Sequence, residues 1–143
     1  MIDKSLVRSR LSELERYYNT LRALRRLSVD EMEADVEKFW TVEHGLQLST
    51  QLVLDIGNHI LAGLGVSRVE DYKDILLALG REGCLPVEFA GKIADMAGLR
   101  NLLVHEYLKV DPRKLHDALQ THSDDFREFA AHIEKYLGET HER

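Results

Sequence analysis

The sequence predicts an all-α protein, a helical bundle of four long helices and at least one short one. Apolar residues recur at helical spacing over most of the chain, and no segment alternates with the period of a strand. Only two prolines and nine glycines punctuate 143 residues, so long stretches are free to be helical. That length suits one domain, residues 1–143, with a real core.

The first helix is expected over Ile2 to Leu27, where Leu6, Leu14, Tyr17, Leu21 and Leu24 alternate with Arg and Glu. Ser28-Val29-Asp30-Glu31 matches a capping box and opens a new helix. From Phe39 to Leu64 the pattern changes. Trp40, Val42, Leu46, Leu48, Leu52, Val53, Leu54, Ile56, Ile60 and Leu61 are apolar on almost every side, the mark of a central, buried helix. A polar column survives on it. Glu43, Gln47, Gln51 and Asp55 recur every fourth residue, with Asn58 and His59 on the next turn. Buried polar groups need partners, so this column faces a site, a subunit interface or an internal hydrogen-bond network.

The glycines of "GLGVS" suit a helix C-terminus. A shorter helix is expected over Glu70 to Leu79, followed by a turn at "GREGCLP". Pro86 then stands in the first turn of a helix running to Leu108. Asp111-Pro112 opens the last helix, which ends near Leu137 and Gly138.

The formal net charge of −6 hides an asymmetry. Residues 1–28 carry seven Lys/Arg against three Asp/Glu, a net +4, and the remainder carries −10. The whole-chain balance opposes indiscriminate polyanion binding but leaves room for a local basic surface. One cysteine, Cys84, excludes an internal disulfide and a multi-cysteine metal site, which points to a reduced, cytoplasmic compartment. The N-terminus is charged from its third residue, unlike a signal peptide, and no apolar run reaches membrane-spanning length.

The stretch "RNLLVHEY", Arg100 to Tyr107, sets an arginine, an amide, an imidazole and a phenol within an otherwise apolar helix. At roughly 100° per residue, Tyr107 lies about 20° behind Arg100, Asn101 about 100° ahead and His105 about 140° ahead. The four polar groups share one broad arc. Arginine forks onto phosphate oxygens and stays charged at any working pH. Histidine takes and returns protons near neutrality. The set suits a phosphodiester, although an Arg and a His at this spacing also occur together for structural reasons alone.

"RNLLVHEY" also matches the R-x4-H-x-Y signature of HEPN-domain toxins of the HepT type, prokaryotic partners of minimal nucleotidyltransferase (MNT) antitoxins. "LDIGNHIL", Leu54 to Leu61, resembles that family's D-x-x-N-H segment, and "RNLLVHEYLKVDPRKLHDAL" continues as the family does. The resemblance runs from about Ser28 to the last helix. It implies an antiparallel bundle that forms a two-fold homodimer, with paired motifs making a composite cleft. It also implies a metal-independent endoribonuclease needing no cofactor. By position, Arg100 would stabilise charge on the phosphorane, His105 would handle the 2′-hydroxyl or leaving-group proton, and Asn101 would position substrate. Tyr107 matches the tyrosine to which the MNT antitoxin adds AMP. Gln51, Asp55, Asn58 and His59 are supporting or interface candidates, and Asp55 and His59 stand at hydrogen-bonding separation on one helix face. The RNA target would be a tRNA or an mRNA. The alternative is a non-catalytic module that binds nucleotides or docks a nucleotidyltransferase.

Other motifs carry less. The seven histidines include no H-E-x-x-H pair and no Cys/His spacing, so no metal site is expected. Gly91 and Gly98 read as positions of close helix packing. Cys84 lacks a basic neighbour that would activate it.

Overall fold

The computed structural model describes residues 1–66, 69, 71–105 and 110–139, with Val104 and His105 described by their backbone alone. The described residues form seven helices and no strand: α1 (Lys4–Leu24), α2 (Val29–Ala34), α3 (Val36–Gly63), α4 (Tyr72–Arg81), α5 (Val87–Ile93), α6 (Met96–His105) and α7 (Pro112–Glu139). None is long and apolar enough to cross a membrane.

Local chemistry sets the helix starts. Both halves of the capping box form at α2: Ser28 Oγ accepts from the Glu31 amide and Glu31 Oε1 from the Ser28 amide, each at 3.1 Å. The amide donation and the Ser28 hydroxyl hold the Glu31 carboxyl below its ordinary pKa. Asp35 then caps α3 through the amides of Glu37 and Lys38. The long helix therefore begins at Val36, three residues before the apolar pattern becomes dense. Asp3 and Asp71 cap α1 and α4 in the same way. At the end of α3, Gly65 takes the left-handed conformation (φ 77°) that a helix-terminating glycine supplies.

The core gathers around α3, which packs against α1, α2, α4, α6 and α7. Val42, Leu46, Val53, Leu54, Ile56, Ile60 and Leu61 are all buried on it. α1 and α7 run antiparallel along their length. Arg8 pairs with Glu134 at 2.9 Å, Tyr18 donates to Asp124 at 2.9 Å, and Gln120 donates to the Arg25 carbonyl at 2.7 Å. Tyr18 and Arg25 together hold the Asp124 carboxyl below its usual range. α1 is antiparallel to α3 as well: Met1 nitrogen reaches the Gly63 carbonyl while Leu21 lies against Gly45.

Three expectations change. The helix opened by Pro86 is two helices, broken at Ala94 and Asp95, with Pro86 as the residue before the first turn. The physical reason is packing: α5 lies on α4, whereas α6 lies on α3, and one straight helix cannot serve both. The buried seam of α1 is Val7, Leu11, Leu14, Tyr18 and Leu21, so Leu6, Tyr17 and Leu24 are only half-buried. A Cβ at Gly91 or Gly98 would meet nothing within 4 Å, so neither serves close packing among the described residues.

Close approach occurs elsewhere. A Cβ on Gly57 of α3 would stand 2.9 Å from Ile75 Cγ2 and 3.1 Å from Leu79 Cδ1, both on α4. Gly57 thus fixes how near α4 sits to the central helix. Gly57→Val is expected to lower unfolding free energy by about 1–3 kcal/mol through overpacking, read from urea midpoints of the two proteins.

Candidate active site

Arg100 projects from α6 toward α3, where Gln47, Leu48, Thr50, Gln51 and Leu103 complete a small cleft of about 90 Å³. Its guanidinium carbon lies 3.9 Å from the centroid of the Tyr72 ring at the start of α4. A cation held over an aromatic face at this distance gains about 0.5–2 kcal/mol, more as water is excluded. The stack also restricts the side chain. Arg100 Nε is buried without a hydrogen-bond partner among the described residues, and so is Thr50 Oγ1. Two unsatisfied polar atoms lining one cleft cost about 1–3 kcal/mol each. Such a cost is tolerated where a ligand or water supplies the missing acceptor. The cleft thus carries a positioned cation, a group that pairs with oxyanions.

The other sequence-derived residues separate into groups. Asn101 is exposed on α6, one residue beyond Arg100. His105 is the last residue of that helix, and only its backbone is described. Tyr107 lies outside the described residues. On α3, Gln51 reaches the Arg100 cleft and donates to Asp55 Oδ1 at 2.9 Å. Asp55 and His59 instead line a second cleft of about 160 Å³ with Arg10 of α1. Asn58 is exposed. The polar column is therefore real, but it is an outward-facing stripe and not a buried network: Gln47, Gln51, Asp55 and Asn58 all meet solvent. Glu43, half-buried at its head, has its pKa raised by burial, with His44 opposing.

Two residues around Arg100 escape a sequence reading. Thr50 belongs to the apolar side of α3 by its spacing. Tyr72 opens a helix more than twenty residues from the motif, and nothing local ties it to Arg100. Trp40, counted among the apolar positions of α3, is 63% exposed.

Among the described residues no group of three or more His, Cys, Asp or Glu could hold a metal ion. Three of the other histidines have structural partners: His116 with the Leu27 carbonyl, His122 with Asp125 and His132 with Glu128. Asp125, itself buried, also takes Lys92 of α5 at 3.2 Å. That bond raises the lysine pKa and ties α5 to α7.

Against this geometry the relationships to known proteins are direct. Residues 9–133 match the family described as "Ribonuclease HepT-like". The chain is 32% identical over 136 residues to the tRNA nuclease HepT of Aphanizomenon flos-aquae, covering 95% of this chain and 92% of that protein. It belongs to the HepT-like ribonuclease family. The fold agrees. A tri-AMPylated Shewanella oneidensis HEPN toxin, solved in complex with MNT antitoxin, superposes with a TM-score of 0.79 at 21% identity, covering 94% of this chain and 99% of that one. YutE, a cytosolic Bacillus subtilis protein of unknown function, gives a TM-score of 0.82 at 20% identity over 95% of this chain and 91% of its own.

Cys84 stands apart from this chemistry. It is 2% exposed, and burial pushes its thiol pKa up despite an opposing hydrogen bond with Tyr136. A thiol disulfide reagent at pH 8 is expected to leave Cys84 unmodified in the folded protein and to label it fully in urea, followed by mass spectrometry.

Proposed function

We infer that this protein is the toxin of a HEPN/MNT toxin–antitoxin pair, a metal-independent endoribonuclease that cleaves tRNA. The observation that carries the reading is Arg100, a guanidinium held over Tyr72 at a small cleft, within the R-x4-H-x-Y motif of a HepT-like chain. The relationship to a tRNA nuclease over nearly the whole chain supports the substrate class.

In this reading the 2′-hydroxyl oxygen of one nucleotide attacks the adjacent phosphorus, and the bond from phosphorus to the 5′-oxygen breaks. The products are a 2′,3′-cyclic phosphate and a free 5′-hydroxyl. His105 takes the 2′-hydroxyl proton or returns one to the departing oxygen. Arg100 neutralises charge that grows on the non-bridging oxygens, where a positioned cation is worth most. Asn101 orients the substrate. Gln51, Asp55, Asn58 and His59 form an outward stripe on α3, the kind of surface a second protomer would cover in a two-fold homodimer with a composite cleft. AMP added to Tyr107 by the MNT antitoxin would add a bulky negative group to the motif that carries Arg100 and compete for its charge.

Purified protein incubated with tRNA in EDTA is expected to yield fragments ending in cyclic phosphate, with Arg100→Ala and His105→Ala each losing cleavage while remaining folded. Cleavage that survives either substitution would reject the catalytic assignment. Absence of cleavage by the folded wild type would favour a nucleotide-binding module. Tyr72 acts on the same reaction through Arg100. Tyr72→Leu is expected to lower kcat roughly 3- to 30-fold from loss of the cation–π contact, whereas Tyr72→Phe keeps the ring and most of the rate.

A further inference from the structure

Trp40 is the largest exposed apolar side chain among the described residues, and it has no role in the chemistry above. It is 63% exposed near the start of α3, and Val36, one turn earlier, is 55% exposed. Single apolar residues are ordinary on a surface, whereas these two stand over a groove. The groove runs between α3 and α1 and holds about 620 Å³, with Trp40, His44 and Leu48 on one side and Tyr17 and Thr20 on the other. No lysine or arginine lines it, and Glu37 is its one carboxylate. A slot with this lining is a poor seat for a polyanion. Aromatic rings with few charges are instead the makeup of a protein–protein interface core.

Three features select a second copy of this chain as the occupant. The patch carries a projecting ring and the slot beside it, so it complements itself, as an interface across a two-fold axis requires. Its few charges are complementary as well. Set antiparallel across such an axis, two α3 helices bring Glu37 of each toward His44 of the other, and both residues line the groove. The face is also large enough. Val36, Trp40, His44, Gln47, Gln51 and Asp55 follow each other at three- and four-residue steps, all exposed, over about 28 Å of helix. With α1 alongside, the face is about 20 Å across. That outline is of the order of the roughly 800 Å² that one partner contributes to a stable interface.

We propose that two copies of the chain pair through this face, each Trp40 entering the other's groove and closing its Arg100 cleft. The proposal rests on the ribonuclease reading for the composite site, and it names the surface that builds that site. Leu48 lines the groove and the Arg100 cleft alike, so the two adjoin along α3. An indole seated beside Leu48 becomes a wall of that cleft. It displaces water near the guanidinium, whose charge acts more strongly on a substrate as the local dielectric falls. A lone copy has the motif but an open cleft. Activity is therefore a property of the pair and follows the concentration of dimer.

Trp40 is the chain's sole tryptophan, so its fluorescence reports on this face alone. Wild-type protein is expected to sediment as a dimer, with Trp40 emission at shorter wavelength than in urea and shielded from acrylamide. Dilution through the dissociation range should move the emission to longer wavelength in step with loss of dimer, while circular dichroism keeps the helical signal. Trp40→Glu should raise the dimer dissociation constant at least about 30-fold, and Trp40→Phe should recover part of that loss. Cleavage of tRNA per mole of protein should fall with dimer content on dilution, and in Trp40→Phe it should do so at correspondingly higher concentration. A folded Trp40→Glu protein with the wild-type dissociation constant overturns the proposal, as does a wild-type dimer whose Trp40 stays open to acrylamide. Either result leaves the ribonuclease reading standing. A dimer with shielded Trp40 that cuts no RNA supports the pairing and overturns the ribonuclease reading instead. Wild-type protein that is monomeric at every concentration, with Trp40 shielded only after a nucleotidyltransferase antitoxin is added, overturns the proposal in favour of that partner.

Discussion

Burial of α3 is the constraint on which the other elements depend. It packs against α1, α2, α4, α6 and α7, and its apolar residues cover all of its circumference except one stripe. A helix so placed cannot turn about its axis without moving Ile56 or Leu46 into water and Gln51 or Asp55 into the core. Exposing a buried aliphatic side chain costs about 1.5–3 kcal/mol, and burying an unpaired polar one costs a similar amount. The orientation of the stripe is thereby fixed by the core. The Arg100 cleft opens along it.

The arginine shows how a functional group is held at a local cost. Its Nε has no acceptor, and the threonine hydroxyl on the same cleft has none either. A core selected only for stability would carry Val at position 50 and no buried guanidinium nitrogen. The stack on Tyr72 offsets part of the penalty and settles where the charge resides. Gly57 then matters at a distance, because it lets α4, which carries Tyr72, lie close against α3.

The break between α5 and α6 has a related effect. Had the helix opened by Pro86 continued straight, residues 96–105 would follow the line of α5 along α4. Turning at Ala94 and Asp95 lays α6 on α3 and brings Arg100 to Gln47 and Gln51. No proline or glycine stands at the bend, and Asp95, just before Met96, is the one residue there of a type that starts helices. The bend is decided by two packing partners.

Spacing and chemistry within a few residues suffice for the helical class, the capping box at Ser28, the Asp111-Pro112 start of the last helix, the glycines that end α3 and the motif containing Arg100. The sequence also marked the polar column of α3, since four-residue recurrence is a property of a helix alone. Whether that column faced inward or outward was decided by the tertiary structure, as was the exposure of Trp40. Hydrophobicity predicts burial on average, but a large ring stays in water when no neighbouring helix passes over it. The partnership of Arg100 with Tyr72 and Thr50 is likewise tertiary. These residues come from three helices, and only the packing of α4 and α6 on α3 gathers them around Arg100.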